Sequence, residues 1–305
     1  GGNKMIRLFS ADMDGTLLNN RSQITERTKK AIVDFQQLGG KFIVNTGREY
    51  SSAKRELDIA GVYCDIICSG GAVIYDKYGE VLEQHVLPKK LAQKLIDILD
   101  QYHMYVDLYT DIGKVTIVPP FDMAKYYHEQ VLPASQKEGK IYFRTGEDLK
   151  ALFEQTVYFD GAGQLFDSDV KIYKICSCSL NTERLWKVRR ACKKMSDISM
   201  TYTSDYDIEL THKDARKGVA LMSYARQMKI GPDEILAVGD SENDRSMLEL
   251  PIARTVAVGN AMASIKQTAK EVCGTNVDEG VACLLEGLLR EREHQKLINF
   301  DKQAG

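Results

Sequence analysis

Asp12-Met13-Asp14-Gly15-Thr16-Leu17-Leu18 follows directly on the apolar run Ile6-Arg7-Leu8-Phe9-Ser10-Ala11. The run reads as a buried strand. Two carboxylates stand two residues apart where it ends, with a glycine turn after them. Burying charge is costly unless a metal or a partner compensates it. An acidic pair at this place is therefore expected to act: it can hold a divalent cation, and one oxygen can attack phosphorus. An EF-hand calcium loop is excluded by spacing, since it needs glycine at its sixth position and glutamate at its twelfth. Counted from Asp12, those positions are Leu17 and Gln23.

Outward from this motif, the first 85 residues alternate strand and helix, which predicts a parallel sheet with crossover helices. Thr25 can cap a helix carrying Ala31, Ile32, Phe35 and Leu38 on one face, and Gly39-Gly40 ends it. Lys41 to Asn45 is a second strand, followed by Thr46-Gly47-Arg48 and a helix through Ala60. Ile66-Ile67-Cys68 is a third, ending at Ser69-Gly70-Gly71-Ala72. The alternation resumes with a helix over Gly218 to Met228, a strand over Ile235 to Gly239 with Asp240 at its end, and a strand over Thr255 to Val258. A helix over Val281 to Leu289 closes the pattern, with Arg290-Glu291-Arg292-Glu293 as its solvated end.

Between these stretches the texture changes. Residues 86–211 are richer in tyrosine and in strand-like runs, at Lys114 to Val118 and Val170 to Ile175. Helices are expected over Lys89 to Tyr102 and Thr182 to Met195, and a loop at Pro119-Pro120. The expected fold is α/β: a Rossmann-like parallel-sheet core in two parts, 1–85 and 212–305, with an α+β cap domain, 86–211, inserted between them.

Composition narrows the function. With 305 residues, 44% hydrophobic and 28% charged, the chain has room for one large or two ordinary globular domains. A net charge of −2 argues against a nucleic-acid partner. No apolar stretch approaches the ~20 residues of a membrane span. Lys4 and Arg7 flank only a short apolar strand, so no signal peptide is expected. The seven cysteines form no Cys-x-x-Cys pair, and they read as small buried residues of a reducing cytoplasm. Oligomeric state is left open.

Four groups then line up, each after an apolar strand or at the start of a helix: Asp12 with Asp14, Thr46, Lys217, and Asp240 with Asn243 and Asp244. In an open parallel sheet, ligands bind at the carboxyl ends of strands near a topological switch point. A threonine hydroxyl with nearby backbone N–H groups can hold phosphoryl oxygens. A lysine can neutralise transition-state charge, and aspartates can complete an oxygen-ligand Mg²⁺ site. Arg48 reads equally as a substrate contact or as the partner of a core carboxylate. Asn243 can also cap a helix, and Asp244 suits a helix start on dipole grounds alone.

Asp12 to Leu18, Asn45-Thr46-Gly47-Arg48, Lys217-Gly218 and Gly239-Asp240-Ser241-Glu242-Asn243-Asp244 resemble the four ordered motifs of the haloacid dehalogenase superfamily. Ala257 to Ala261 and Asp278 to Ala282 resemble its Cof-type branch, which carries a large α/β cap where this chain has its insert. The resemblance implies that Asp12 is the nucleophile that forms an aspartyl-phosphate and that Asp14 is the general acid and base. Thr46 would bind the phosphoryl group, beside Gly47 and Arg48, and Lys217 would restrain Asp12 and the phosphate. Mg²⁺ would sit on Asp12, the Asp14 carbonyl and Asp240, with Asn243 and Asp244 in support. Gly70 and Gly71 stand where Cof-type chains often read Asn-Gly, near the hinge and a substrate contact. Asn243 is also expected near the substrate. Arg216, next to Lys217, competes for the lysine's role, though Gly218 favours Lys217.

The expectation is a Mg²⁺-dependent cytoplasmic phosphatase for small phosphorylated metabolites, such as sugar phosphates or phosphorylated cofactors. A phosphomutase of the same superfamily and a non-catalytic metabolite sensor are the alternatives. Cap loops such as Asp160-Gly161-Ala162-Gly163 are expected to set substrate choice.

Overall fold

The computed structural model describes residues 4–139, 143 and 145–304. Five strands come first: β1 (Leu8–Ala11), β2 (Lys41–Asn45), β3 (Asp65–Cys68), β4 (Val73–Tyr75) and β5 (Val81–Gln84). Six follow: β6 (Asp107–Thr110), β7 (Gly113–Thr116), β8 (Val157–Tyr158), β9 (Ile172–Cys178), β10 (Ile198–Thr201) and β11 (Asp207–His212). The last three are β12 (Ile235–Gly239), β13 (Arg254–Ala257) and β14 (Glu271–Val272).

They form two sheets. The first has eight strands in the order β14-β13-β12-β1-β2-β3-β4-β5. It is parallel from β14 to β3 and antiparallel at the β4 and β5 edge. Its central strands are buried on both faces, which is why Leu8-Phe9-Ser10-Ala11 and Ile235-Leu236-Ala237-Val238 read as unbroken apolar or small-residue runs. The fold is thus α/β, as the alternation predicted. The β4–β5 hairpin was not anticipated, because Val73-Ile74-Tyr75 is too short to carry a period. Asp76 makes its turn, accepting from the N–H groups of Tyr78 and Glu80 at 2.9 Å each.

The helix Glu26–Gln37 is capped by Thr25, as expected, and packs against the helix Gly280–Ala304. The latter runs well past Leu289, and Arg292 is buried rather than solvated. Its guanidinium donates to the carbonyls of Leu38 at 2.7 Å and Ile6 at 2.6 Å, and stands 4.5 Å over the Phe35 ring. Arginine here closes the end of one helix and the entry to β1, a role that a run of alternating charges does not reveal.

The second sheet has the order β10-β11-β9-β6-β7-β8, antiparallel except between β7 and β8. One face is apolar: Leu108, Val115, Ile175, Ile208 and Leu210 pack with Leu95 and Leu99 of the helix Lys89–Gln101, and with Leu185 and Val188 of the helix Thr182–Cys192. By strand alternation the other face carries Asp107, Tyr109, Lys114, Lys174 and Glu209. The four charged members of that set are buried too. Pro119-Pro120 opens a helix instead of lying in a loop. Pro120 occupies its first turn, where the missing N–H is not needed.

Candidate active site

β1 lies between β12 and β2 and parallel to both, with Leu8 beside Ile235 on one side and Lys41 on the other. The chain leaves β1 in one direction and returns in the other, so the crevice at these strand ends is a switch point. Asp12, Thr46 and Asp240 each follow the last residue of one of these strands, and all three are buried.

The turn after β1 depends on Gly15. Its φ is +79°, and a Cβ there would lie 2.6 Å from Asp240 Oδ2. Glycine lets the backbone approach that carboxylate. The Thr16 hydroxyl donates to Asp240 Oδ1 at 3.4 Å.

Lys217 opens the helix Lys217–Gln227 and is fully buried, whereas Arg216 is exposed. Lys217 Nζ donates to Asp12 Oδ1 at 2.5 Å and to Asp244 Oδ1 at 2.7 Å. Asp244 Oδ2 accepts from the backbone N–H groups of Asp240 at 2.9 Å and Ser241 at 3.1 Å. Both Asp244 oxygens are therefore engaged in holding the lysine and the turn after β12. Gly71 fixes where the lysine begins. With φ at +103°, it packs so closely that a Cβ would lie 2.5 Å from the Arg216 carbonyl oxygen.

The carboxylates of Asp12, Asp240 and Asp244 offer oxygens within 4.8 Å of one another. Burial, and next the Asp244 charge, push the Asp12 carboxyl well above the usual range, while Lys217 pulls it back. Burial alone would lower the Lys217 ammonium, but Asp12 and Asp244 outweigh it and keep the lysine charged. Three carboxylates against one ammonium leave the pocket short of positive charge. An all-oxygen donor set of this kind fits a hard divalent cation such as Mg²⁺.

Arg48 turns out to pair with a core carboxylate. Its Nε and Nη2 reach Asp14 Oδ2 and Oδ1, both at 2.7 Å, in a bidentate fork. Glu56 lies 3.6 Å from its Nη1. The Arg48 N–H donates to Thr46 Oγ1 at 3.1 Å, and the loop is tied to the next turn by Gly70 N–H to Thr46 O at 3.0 Å. Asn243 accepts from Ser241 Oγ at 3.0 Å and donates to Glu209 Oε2 at 3.4 Å, so it links the turn after β12 to the second sheet.

Glu209 belongs to the second sheet, whose polar face stands opposite these strand ends. A cavity of about 250 Å³ separates them, bordered by Asp12, Asp14, Gly47 and Arg48 on one side and by Tyr109 and Lys174 on the other. Lys174 Nζ bonds Glu209 Oε1 and the Gly47 carbonyl, both at 2.5 Å, and lies 4.5 Å from the Tyr109 ring centre. Sequence reasoning missed Lys174, Glu209, Tyr109, Asp107 and Lys114. Their signal was the alternation of polar and apolar residues in β6, β7, β9 and β11, which marks a two-faced sheet. The cavity's border includes neither Gly70 and Gly71 nor residues 160–163. The glycines form the turn behind the lysine, where a side chain at 70 would meet Thr211, and Gly161 opens a separate short helix.

The family model of haloacid dehalogenase-like hydrolases matches residues 9–285. The chain belongs to this family. Among its relatives, the Bacillus subtilis phosphatase YwpJ is 28% identical over 286 residues, covering 93% of this chain and 100% of its own length. The B. subtilis 5-amino-6-(5-phospho-D-ribitylamino)uracil phosphatase YwtE is 27% identical over 287 residues, covering 93% and 98%. A B. subtilis haloacid dehalogenase-like hydrolase of known structure superposes with a TM-score of 0.82 at 28% identity, covering 92% of this chain and 99% of that one. This family member is therefore a hydrolase in the company of phosphatases, with an α/β fold like theirs. No described helix is long and apolar enough to cross a membrane.

Proposed function

We propose that the chain is a Mg²⁺-dependent phosphatase that hydrolyses small phosphorylated metabolites through an aspartyl-phosphate on Asp12. The observation that carries this reading is the Lys217 ammonium, buried between Asp12 and Asp244 at a switch point where Asp240 joins the cluster. Residues 1–85 and 212–305 supply this chemistry, and residues 86–211 form the cap that supplies the opposite wall.

Asp12 attacks phosphorus, and the bond from phosphorus to the leaving oxygen breaks. Asp14 gives that oxygen a proton. It then takes a proton from water, which attacks the aspartyl-phosphate and releases phosphate and Asp12. Thr46 and the backbone beside it hold the phosphoryl oxygens, Lys217 offsets their charge, and Arg48 orients Asp14. Asp12, the Asp14 carbonyl and Asp240 would hold the cation, with Asp244 fixing the lysine beside them. When bound, Mg²⁺ neutralises charge that the lysine alone leaves unbalanced. The relatives' names support a phosphorylated small molecule as substrate. Seven unpaired cysteines support a reducing, cytoplasmic setting.

The test is phosphate release from a panel of metabolite monoesters and phenyl phosphate, with and without Mg²⁺. Release without a bisphosphate activator supports the phosphatase reading over a mutase. No release from any ester, with folded protein and Mg²⁺, overturns it and leaves a binding protein.

A further inference from the structure

We propose that Asp107, Tyr109 and Lys114, on the polar face of the second sheet, form the site for the leaving alcohol. We infer that this site selects monoesters whose alcohol carries a flat heteroaromatic ring with a hydrogen-bond donor. The inference rests on the phosphatase reading and adds the substrate class.

The wall opposite Asp12 changes character with distance. Nearest the catalytic loop stands the Lys174–Glu209 pair, joined to Gly47 and Asn243. Next comes Tyr109, with Lys174 Nζ 4.5 Å and Lys114 Nζ 5.6 Å from its ring centre. Beyond it, Lys114 pairs with Asp107 Oδ2 at 2.9 Å, and the Tyr127 hydroxyl donates to the same oxygen at 2.8 Å. Tyr126 and Phe153 stand edge-on to Tyr127, with ring centres 5.5 Å away in each case. A molecule with its phosphorus at Asp12 thus meets bonded charges first and aromatic rings farther out.

One carboxylate oxygen on this wall lacks a partner among the described residues. Asp107 is 6% exposed and borders the cavity, yet its Oδ1 accepts no hydrogen bond among the described residues. A buried carboxylate oxygen left unpaired is costly, and a bound ligand can supply the missing donor. The other charged groups of the wall are already committed. Lys174 and Glu209 hold each other, and Asp207 accepts from the N–H groups of Thr203 and Ser204 at 3.0 and 2.8 Å. Asp107 Oδ1 is a buried open acceptor on the same wall as the Tyr109, Tyr126 and Tyr127 rings, a pairing that suits a ring bearing an N–H or O–H donor. The site is also preorganised, since Lys114 and Tyr127 fix the Asp107 carboxylate before any ligand arrives.

The experiment compares kcat/KM for pyridoxine 5′-phosphate, glucose 6-phosphate and phenyl phosphate in the full chain and in Asp107→Asn. The wild type is expected to favour pyridoxine 5′-phosphate over each of the others by at least about tenfold. Asp107→Asn should lower the ratio of pyridoxine 5′-phosphate to phenyl phosphate by about tenfold or more, chiefly through KM. Inhibition of phenyl phosphate hydrolysis by free pyridoxine, against free glucose, tests the same point without a variant. Pyridoxine should inhibit about tenfold more tightly. Preference for glucose 6-phosphate, equal inhibition, or an unchanged ratio in folded Asp107→Asn would overturn the proposal. Failure to release phosphate even from phenyl phosphate would instead overturn the phosphatase reading beneath it.

Discussion

Lys174 Nζ, on an inner strand of the second sheet, lies 2.5 Å from the carbonyl oxygen of Gly47 in the loop that follows β2. The same ammonium holds Glu209, which in turn accepts from Asn243. A single buried ion pair therefore joins the polar face of the second sheet to two loops of the crevice at the strand ends.

Removing one partner of a buried pair leaves an uncompensated charge, at a cost of about 3–5 kcal/mol. Lys174→Met is expected to lose stability in that range, measured by urea unfolding, and to lose activity with it. The pH sign can be worked out. Burial would raise Glu209, but Lys174 outweighs burial and holds the carboxyl below its ordinary value. The stability it contributes is full above the ordinary value of about 4.3 and is lost as pH falls through the lower folded value. Lys174 is held above its ordinary value by Glu209 despite burial, so its contribution is lost only as pH rises through that higher value. Lys174→Met should flatten the acid fall. A variant within about 1 kcal/mol of wild type at pH 7 would show that the pair does not couple the two walls.

Asp12→Asn keeps the shape of the side chain and removes its nucleophilicity. Turnover is expected to drop by at least about a thousandfold, while thermal unfolding stays cooperative. Near-wild-type phosphate release from pure, folded Asp12→Asn would exclude Asp12 as the nucleophile.

The excess of buried carboxylates at Asp12, Asp240 and Asp244 predicts that Mg²⁺ stabilises the fold as well as supporting turnover. At a hundred times its Kd, a ligand of the native state adds about 2.7 kcal/mol. Differential scanning fluorimetry should show Tm rising with Mg²⁺, and Asp240→Ala should blunt the rise and the activity together. Full activity in excess chelator would contradict the metal assignment.

Gly71→Ala introduces a Cβ 2.5 Å from the Arg216 carbonyl oxygen at a φ of +103°. Strain of this kind costs about 1–3 kcal/mol. Because the clash falls on the residue before Lys217, kcat should drop alongside stability. A loss of stability with unchanged kcat would mean that the lysine's position does not depend on this turn.

Legibility followed how each residue is exposed to pattern. Asp12, Thr46, Lys217 and Asp240 were visible because each ends or begins an element whose apolar period is unmistakable. Which partner each takes was not visible. Arg48 on Asp14 and Asn243 on Glu209 are contacts between elements that only the sheet order brings together. The second sheet was harder still. In an antiparallel sheet, alternating polar residues ordinarily face water. Lys174 and Glu209 fit that pattern in sequence, yet their face is covered by the catalytic crevice. Residues 160–163, expected to set substrate choice, do not border the cavity; a glycine-rich stretch marks a turn without saying what the turn faces.

The place of β1 in the sheet governs how the chain must be made. β1 pairs with β2, but its other edge waits for Ile235 to Val238. While a ribosome is still extending the chain, that edge is open, and an unpaired strand edge is where chains stick to one another. The strands of the second sheet all lie within residues 107–212 and can pair among themselves much earlier. The pairing of β1 with β12 spans most of the sequence, which makes folding of the first sheet slow relative to a local fold. Asp240 arrives with β12, so the carboxylate cluster closes only when the vulnerable edge does. A nascent chain cut short before residue 235 has the second sheet without Asp240, and it carries an aggregation hazard that the finished enzyme does not.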